Sequence, residues 1–136
     1  MGEPFRHRLR VRYHECDQQG VVFNAHYLAY CDICLVELWR EAVEGDAGIA
    51  AKGLDVVVAE ARIRFLAPLR FDDEFEMRLT VATLGTSSMT LEIVLERDGE
   101  TVADAELAQV FIDTASGEKV AIPDDVRMAL ERHTVS

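Results

Sequence analysis

The stretch from Ala25 to about Val43 constrains this chain more than any other, because its first half is apolar on nearly every side of a helix and charge returns mainly as Asp32, Glu37, Arg40, Glu41 and Glu44. Leu28, Ala29, Cys31, Ile33, Leu35, Val36, Leu38, Trp39, Ala42 and Val43 fall on more than one face, and no charged residue occurs from Gln18 through Cys31. An ordinary surface helix shows a single apolar stripe, so a helix apolar around most of its circumference needs cover from several directions. At 1.5 Å per residue it would be about 30 Å long. Only a sheet that curls around it could bury so much length. Gly45, Gly48 and Gly53 supply the chemistry of a helix stop and of the turns after it.

The remaining segments read as strands. Arg6, Arg8, Arg10 and Arg12 alternate with His7, Leu9, Val11 and Tyr13, the two-residue period of a strand with one wet face. A long strand runs from Asp55 to Ala67 and is ended by Pro68. From Glu74 to Leu84, Met77, Leu79 and Val81 alternate with Glu76, Arg78 and Thr80. From Met89 to Glu96, Leu91, Ile93 and Leu95 alternate with Thr90, Glu92 and Val94. Asp98-Gly99 marks a two-residue hairpin turn before a last strand from Thr101 to Asp113, and a short helix follows from Pro123 to Arg132. One helix after the first strand, then an antiparallel meander, predicts an α+β layer architecture. At 136 residues, the chain from 1 to 136 is read as one domain.

With 25 acidic against 14 basic residues the net charge is −11. That argues against nucleic acid as a partner, which calls for a basic surface, and against an anionic membrane surface. It does not argue against an anionic small molecule, since a local arginine cluster overcomes a diffuse acidic field. No apolar run is long enough to span a bilayer, and Gly2-Glu3-Pro4-Phe5-Arg6-His7-Arg8 lacks a signal-peptide core, so a cytoplasmic location is expected. Cys31 and Cys34 form a Cys-x-x-Cys pattern, but they lie in the apolar helical stretch with no second pair at zinc spacing. Together with Cys16 they are read as packing thiols, and no metal site is expected.

Chemistry concentrates between Tyr13 and Tyr27. Asp17 is the only carboxylate from Cys16 to Cys31, and Gly20, an apolar tripeptide and Asn24 separate it from the helix. An acid beside a helix start lies next to backbone N–H groups that have no partner within the helix and can polarise a carbonyl. Asp17 can act as a general base or as a nucleophile toward an acyl group, and an N–H at or near Asn24 can stabilise the oxyanion. The plainer readings are a turn cap for Asp17 and a helix N-cap for Asn24. Gly20 permits a backbone shape that other residues resist, or gives a substrate close passage. The hydroxyl of Tyr13 can bond a carboxylate, although a core aromatic with a wet tip is as good a reading. His26 is placed on another side of the helix, and Tyr30 and Trp39 are read as packing residues.

The ordered set Tyr13, Asp17, Gly20, Val22, Asn24 and Tyr27 resembles the signature of the hotdog-fold acyl-CoA thioesterases, in particular the 4-hydroxybenzoyl-CoA and Tol-Pal-associated thioesterase group. Phe65-Leu66-Ala67-Pro68-Leu69-Arg70-Phe71-Asp72-Asp73 is similar to that group's strand-Pro-x-x-x-Asp-Asp stretch, and Gly85-Thr86-Ser87-Ser88 to a turn that meets the coenzyme in relatives. The resemblance spans about residues 5 to 122. It implies a long central helix wrapped by a curved antiparallel sheet of about five strands, and hydrolysis of acyl-CoA thioesters to free acid and CoA. It also implies Asp17, Asn24 and Tyr13 as catalytic residues, and Gly20, Val22, Tyr27, Arg62, Arg64, Thr86, Ser87 and Ser88 as substrate-binding ones. No separate cofactor is implied, because coenzyme A is part of the substrate. A homodimer or homotetramer is, with the site shared between subunits. Asn24 departs from the pattern, since many relatives carry His there and Asn cannot shuttle a proton. Two other activities are compatible with such a chain: an acyl-thioester hydratase or dehydratase of the same fold, and a non-catalytic acyl-CoA-binding protein.

Overall fold

A computed structural model describes residues 2–42 and 49–134. Strand β1 (Phe5–Arg10) leads through a 3-10 turn at Tyr13–Glu15 into the long helix α1 (Ala25–Ala42). Strands β2 (Leu54–Phe65), β3 (Glu74–Leu84), β4 (Ser88–Arg97) and β5 (Glu100–Asp113) follow, and helix α2 (Asp124–Glu131) comes last. The expected helix end at Val43 and the stop glycines Gly45 and Gly48 lie outside the described residues.

The five strands form one antiparallel sheet in the order β1-β3-β4-β5-β2. β3, β4 and β5 make the expected meander, and Asp98 and Gly99, with φ of 51° and 80°, form the tight turn between β4 and β5. β2 departs from the meander reading. It pairs with β5 at the far edge instead of with β3. The N–H groups of Leu66 and Ala67 both turn to the carbonyl of Val102, at 2.9 and 3.1 Å, and Pro68 has no N–H to extend the ladder. The 66–73 segment therefore crosses the end of the sheet before β3 begins.

β1 is also shorter than its alternation predicts. The Glu15 carboxylate accepts the Arg12 N–H at 2.7 Å and turns the chain out of the strand. Val11 still points into the core, but Tyr13 is left 80% exposed.

α1 lies across the inner face of this sheet. Its rings reach three strands: Tyr27 meets Phe65 of β2, Tyr30 meets Phe75 of β3 and Trp39 meets Phe111 of β5. The inner rows of β3 and β4 (Phe75, Met77, Leu79, Val81; Met89, Leu91, Ile93, Leu95) are buried beneath it. Within α1, Tyr27, Tyr30, Cys31, Cys34, Leu35, Leu38 and Trp39 are buried at the i, i+3, i+4 spacing of a single stripe. The cover on several sides expected of this helix is not reached within one chain, where Ala29 is exposed and Val36 is 50% exposed. A five-stranded sheet curls around only part of a helix of this length. Among the described residues no helix is long and apolar enough to cross a membrane.

Candidate active site

Asp17 stands at the head of a tight hairpin. Its N–H donates to the Val21 carbonyl at 2.9 Å, its carbonyl accepts the Gly20 N–H at 3.0 Å, and Cys16 bridges Val22 below it. Carboxylate oxygen Oδ1 accepts the Gln19 N–H at 2.8 Å and the Val21 N–H at 3.4 Å. Oδ2 has no partner among the described residues, and the side chain is exposed. The turn reading of Asp17 and the chemical one thus apply to different oxygens. Gly20 has φ of 78°, a left-handed conformation that favours glycine, and nothing lies within 4 Å of where its Cβ would stand. Backbone shape rather than crowding by the protein accounts for glycine there.

The chain then enters α1. Phe23 donates its N–H to the Glu15 carbonyl at 3.0 Å, and His26 donates to the Phe23 carbonyl at 2.9 Å. Between them, the N–H groups of Asn24 and Ala25 have no acceptor among the described residues. Asn24 sits at the cap position, but its side chain makes no capping bond among those residues. Only its carbonyl is engaged, by the Tyr27 N–H at 3.2 Å. The ring of His26 lies edge-on to Phe23, with centroids 6.3 Å apart.

Two supports hold this hairpin in place. Beneath it, Val22 donates its N–H to the Leu69 carbonyl at 2.8 Å, and Val21 bridges Arg70. The 68–73 segment is itself clamped: Asp73 Oδ2 accepts the Arg70 N–H at 2.8 Å and Arg97 Nη1 at 2.9 Å, and the same Nη1 reaches the Pro68 carbonyl at 2.7 Å. The second support is Glu15, a carboxylate only 6% exposed, which accepts the Tyr30 hydroxyl at 2.8 Å. Burial first, and then this carboxylate, raise the Tyr30 hydroxyl pKa above its ordinary value, so the group remains a donor. No role for Glu15 or Arg97 is read from the sequence; Tyr30 packs as expected but also donates to Glu15, and Asp73, in the Asp-Asp stretch noted above, acts here as a clamp. The Arg12-x-x-Glu15 spacing of a capping turn was the one legible hint.

Other residues singled out from the sequence fall elsewhere. Tyr13 makes no hydrogen bond to Asp17 and lies edge-on against Phe71, with centroids 5.7 Å apart. Val22 and Tyr27 are each 3% exposed, so in one chain their side chains pack in the core and do not line an open cleft. Burial raises the pKa of the Tyr27 hydroxyl. Arg62 and Arg64 lie on the outer face of β2, opposite Glu106 and Asp104 of β5. Arg64 is held by a two-pronged bond to Asp104, and Arg62 lies 4.0 Å from Glu60. They border a cleft of about 440 Å³ together with Glu92, Asp104 and Glu106, whose carboxylates outnumber them. By contrast, the guanidinium of Arg70 has no carboxylate partner among the described residues. The 86–88 turn sits at the opposite end of the sheet from Asp17, and β3 alone spans about 35 Å between the two ends. One chain does not bring them together.

Cys31 and Cys34 are buried, and burial pushes both thiols up to about 12. Among the described residues no group of three His, Cys, Asp or Glu side chains could hold a metal ion.

A carboxylate oxygen and, seven and eight residues on, two N–H groups at a helix start, all without partners among the described residues, are groups that chemistry at a carbonyl can use. The sheet curled over one long helix that carries this hairpin is the architecture of a hotdog fold. The chain belongs to the thioesterase-like superfamily, whose family model matches residues 11–130. It is 26% identical over 123 residues to the acyl-CoA thioester hydrolase YbgC of Escherichia coli, covering 90% of this chain and 92% of that one. It is 30% identical over 116 residues to the 1,4-dihydroxy-2-naphthoyl-CoA hydrolase of Thermosynechococcus vestitus, covering 84% of this chain and 80% of the relative. Among solved structures, the dynemicin thioesterase superposes with a TM-score of 0.91 at 25% identity, covering 98% of this chain and 99% of that one.

Proposed function

We propose that this protein hydrolyses acyl-CoA thioesters to the free acid and CoA, with Asp17 as the general base. The observation that carries the reading is that Asp17 Oδ2, on the hairpin leading into α1, and the N–H groups of Asn24 and Ala25 at its start have no partner among the described residues. A water held by Oδ2 gives up a proton as its oxygen attacks the thioester carbon, and the carbonyl oxygen gathers negative charge against the two N–H groups. Collapse of the intermediate breaks the C–S bond, and the proton passes to the leaving sulfur. Direct attack by Oδ2 would use the same geometry. The Asn24 side chain, unused as a cap, is available to orient the water.

The working unit is a homodimer or a higher assembly of such pairs. β2 is a sheet edge twelve residues long, with Val57 and Val58 exposed along it, a feature that proteins seldom leave uncovered. Antiparallel pairing of β2 with its own copy reverses the strand direction. The Thr86, Ser87 and Ser88 end of one subunit then comes to the same end of the joint sheet as Asp17 of the other. In that arrangement the hydroxyls of the turn, Arg62 of the pairing strand and Arg70, whose guanidinium has no carboxylate partner among the described residues, are candidates for the phosphates of the coenzyme. Arg64, already neutralised by Asp104, is the weaker one.

The test is a screen of short, long and aromatic acyl-CoAs with a thiol-reactive dye. Release of free thiol is expected. Enoyl product without thiol would instead identify the dehydratase chemistry, and tight binding without turnover the non-catalytic reading. For the shared site, mixing Asp17→Asn subunits with subunits altered at the 86–88 turn should restore part of the activity. A monomer that is fully active in sedimentation and kinetics at one concentration would refute it.

A further inference from the structure

The geometry points to Glu15 and Tyr30 as positioning residues that set the spacing between the Asp17 carboxylate and the N–H groups at the start of α1. This rests on the reading of Asp17 given above. A carboxylate is costly to bury unless it is well bonded. Glu15 is nonetheless 6% exposed, and the nearest cation, the Arg12 guanidinium, stands 3.6 Å away. Two neutral donors make up the difference: the Arg12 N–H at 2.7 Å and the Tyr30 hydroxyl at 2.8 Å.

These contacts tie together the parts whose relative placement matters. Through Arg12 the carboxylate fixes the chain entering the hairpin. Through Tyr30 it is joined to the second turn of α1. Its own backbone carbonyl accepts the Phe23 N–H at 3.0 Å, immediately before the two free N–H groups. Glu15 is two residues from Asp17 in the chain, so its side chain ties the segment that carries Asp17 to α1 through Tyr30. The Tyr30 ring is held by Tyr27 and by Phe75, at centroid distances of 6.0 and 5.0 Å, which leaves its hydroxyl little freedom. An apolar pair would fill the same space. The polar pair adds a fixed direction, and catalytic geometry is sensitive to displacements of about 1 Å.

Tyr30→Phe removes one oxygen and keeps the ring. We expect kcat to fall roughly tenfold with KM unchanged, as a small misplacement of a catalytic group does. Glu15→Gln keeps both acceptor contacts and should hold kcat within about threefold, whereas Glu15→Asp keeps the charge but loses reach and should behave like Tyr30→Phe. The deciding measurement repeats Tyr30→Phe in an Asp17→Asn background. A positioning role acts through Asp17, so the further loss there should be under about twofold. Circular dichroism and a melting curve verify that each variant is folded, and if Tyr30→Phe does not fold, Glu15→Asp takes its place in the same cycle. Wild-type kcat in Tyr30→Phe, or an equal loss with and without Asp17, overturns the inference and leaves the pair a purely structural contact. Wild-type kcat in Asp17→Asn alone would instead sink the assignment of Asp17, and this inference with it.

Discussion

Replacing Asp17 by Asn separates shape from charge at this site. The two backbone bonds to Oδ1, at 2.8 and 3.4 Å, survive with an amide oxygen in its place. A hydrogen bond to an ionised acceptor contributes about 1.5–3 kcal/mol and one to a neutral acceptor about 0.5–1.5, so the shorter bond weakens by about 1 kcal/mol and the longer by much less. Exposure of the side chain to water makes that an upper bound. For a domain of this size the melting temperature should fall by about 4 °C at most. Loss of a positioned base lowers the rate by about 10²–10⁴, which is about 2.7–5.5 kcal/mol on the barrier. The kinetic effect therefore exceeds the stability effect several-fold, and the two can be read from one preparation. Asp17→Ala would lose the turn bonds as well and cost about a further 1 kcal/mol. Thiol release under saturating acyl-CoA, with a melting curve on the same sample, is the assay. An Asp17→Asn protein that turns over within about threefold of wild type would refute the reasoning, because no positioned base contributes so little.

Other positions give independent checks. Because the Asn24 side chain makes no capping bond, Asn24→Ala should cost under about 0.5 kcal/mol, below the usual 1 kcal/mol for a cap. Asn24→His should keep or raise kcat, and complete inactivity in a folded Asn24→His protein would contradict its placement at the site. Cys31 and Cys34 are held neutral up to about 12 against an ordinary 9.0. An unfolded chain loses those protons first, so stability should fall as pH rises from about 9 toward 12, by up to about 1.4 kcal/mol per unit for each thiol. Urea titrations across that range should show a shallower fall in Cys31→Ala. Asp73→Ala strips Arg97 and the Arg70 N–H of an acceptor and should cost about 2 kcal/mol. Activity should drop with it, since the 68–73 segment carries the Leu69 carbonyl that holds Val22; unchanged urea midpoint and rate would show that the clamp is dispensable.

Local pattern alone determined a good deal of this protein. The period-two rows of β3 and β4, the Asp98-Gly99 turn and the start of α1 are all legible, because strand alternation and turn chemistry act over a few residues. Asp17 and Asn24 could be singled out for the same reason: one carboxylate before a run free of charge from Gln18 through Cys31 is a local fact. The rest depended on which segments meet. Nothing in the order of strands states that β2 pairs with β5, because pairing is chosen by where the 66–73 segment can cross, and Val102 sets that through bonds far away in sequence. The sequence offers no sign that Arg64 pairs with Asp104, which only the β2–β5 register places opposite it. Nothing local marks Glu15 as a buried acid, and only the fold puts it against Tyr30, fifteen residues on. The apolar breadth of α1 announced that it needed cover. How much of that cover one sheet supplies, and which side it leaves bare, followed from the sheet's curvature, a property of five strands packed together and of no single segment.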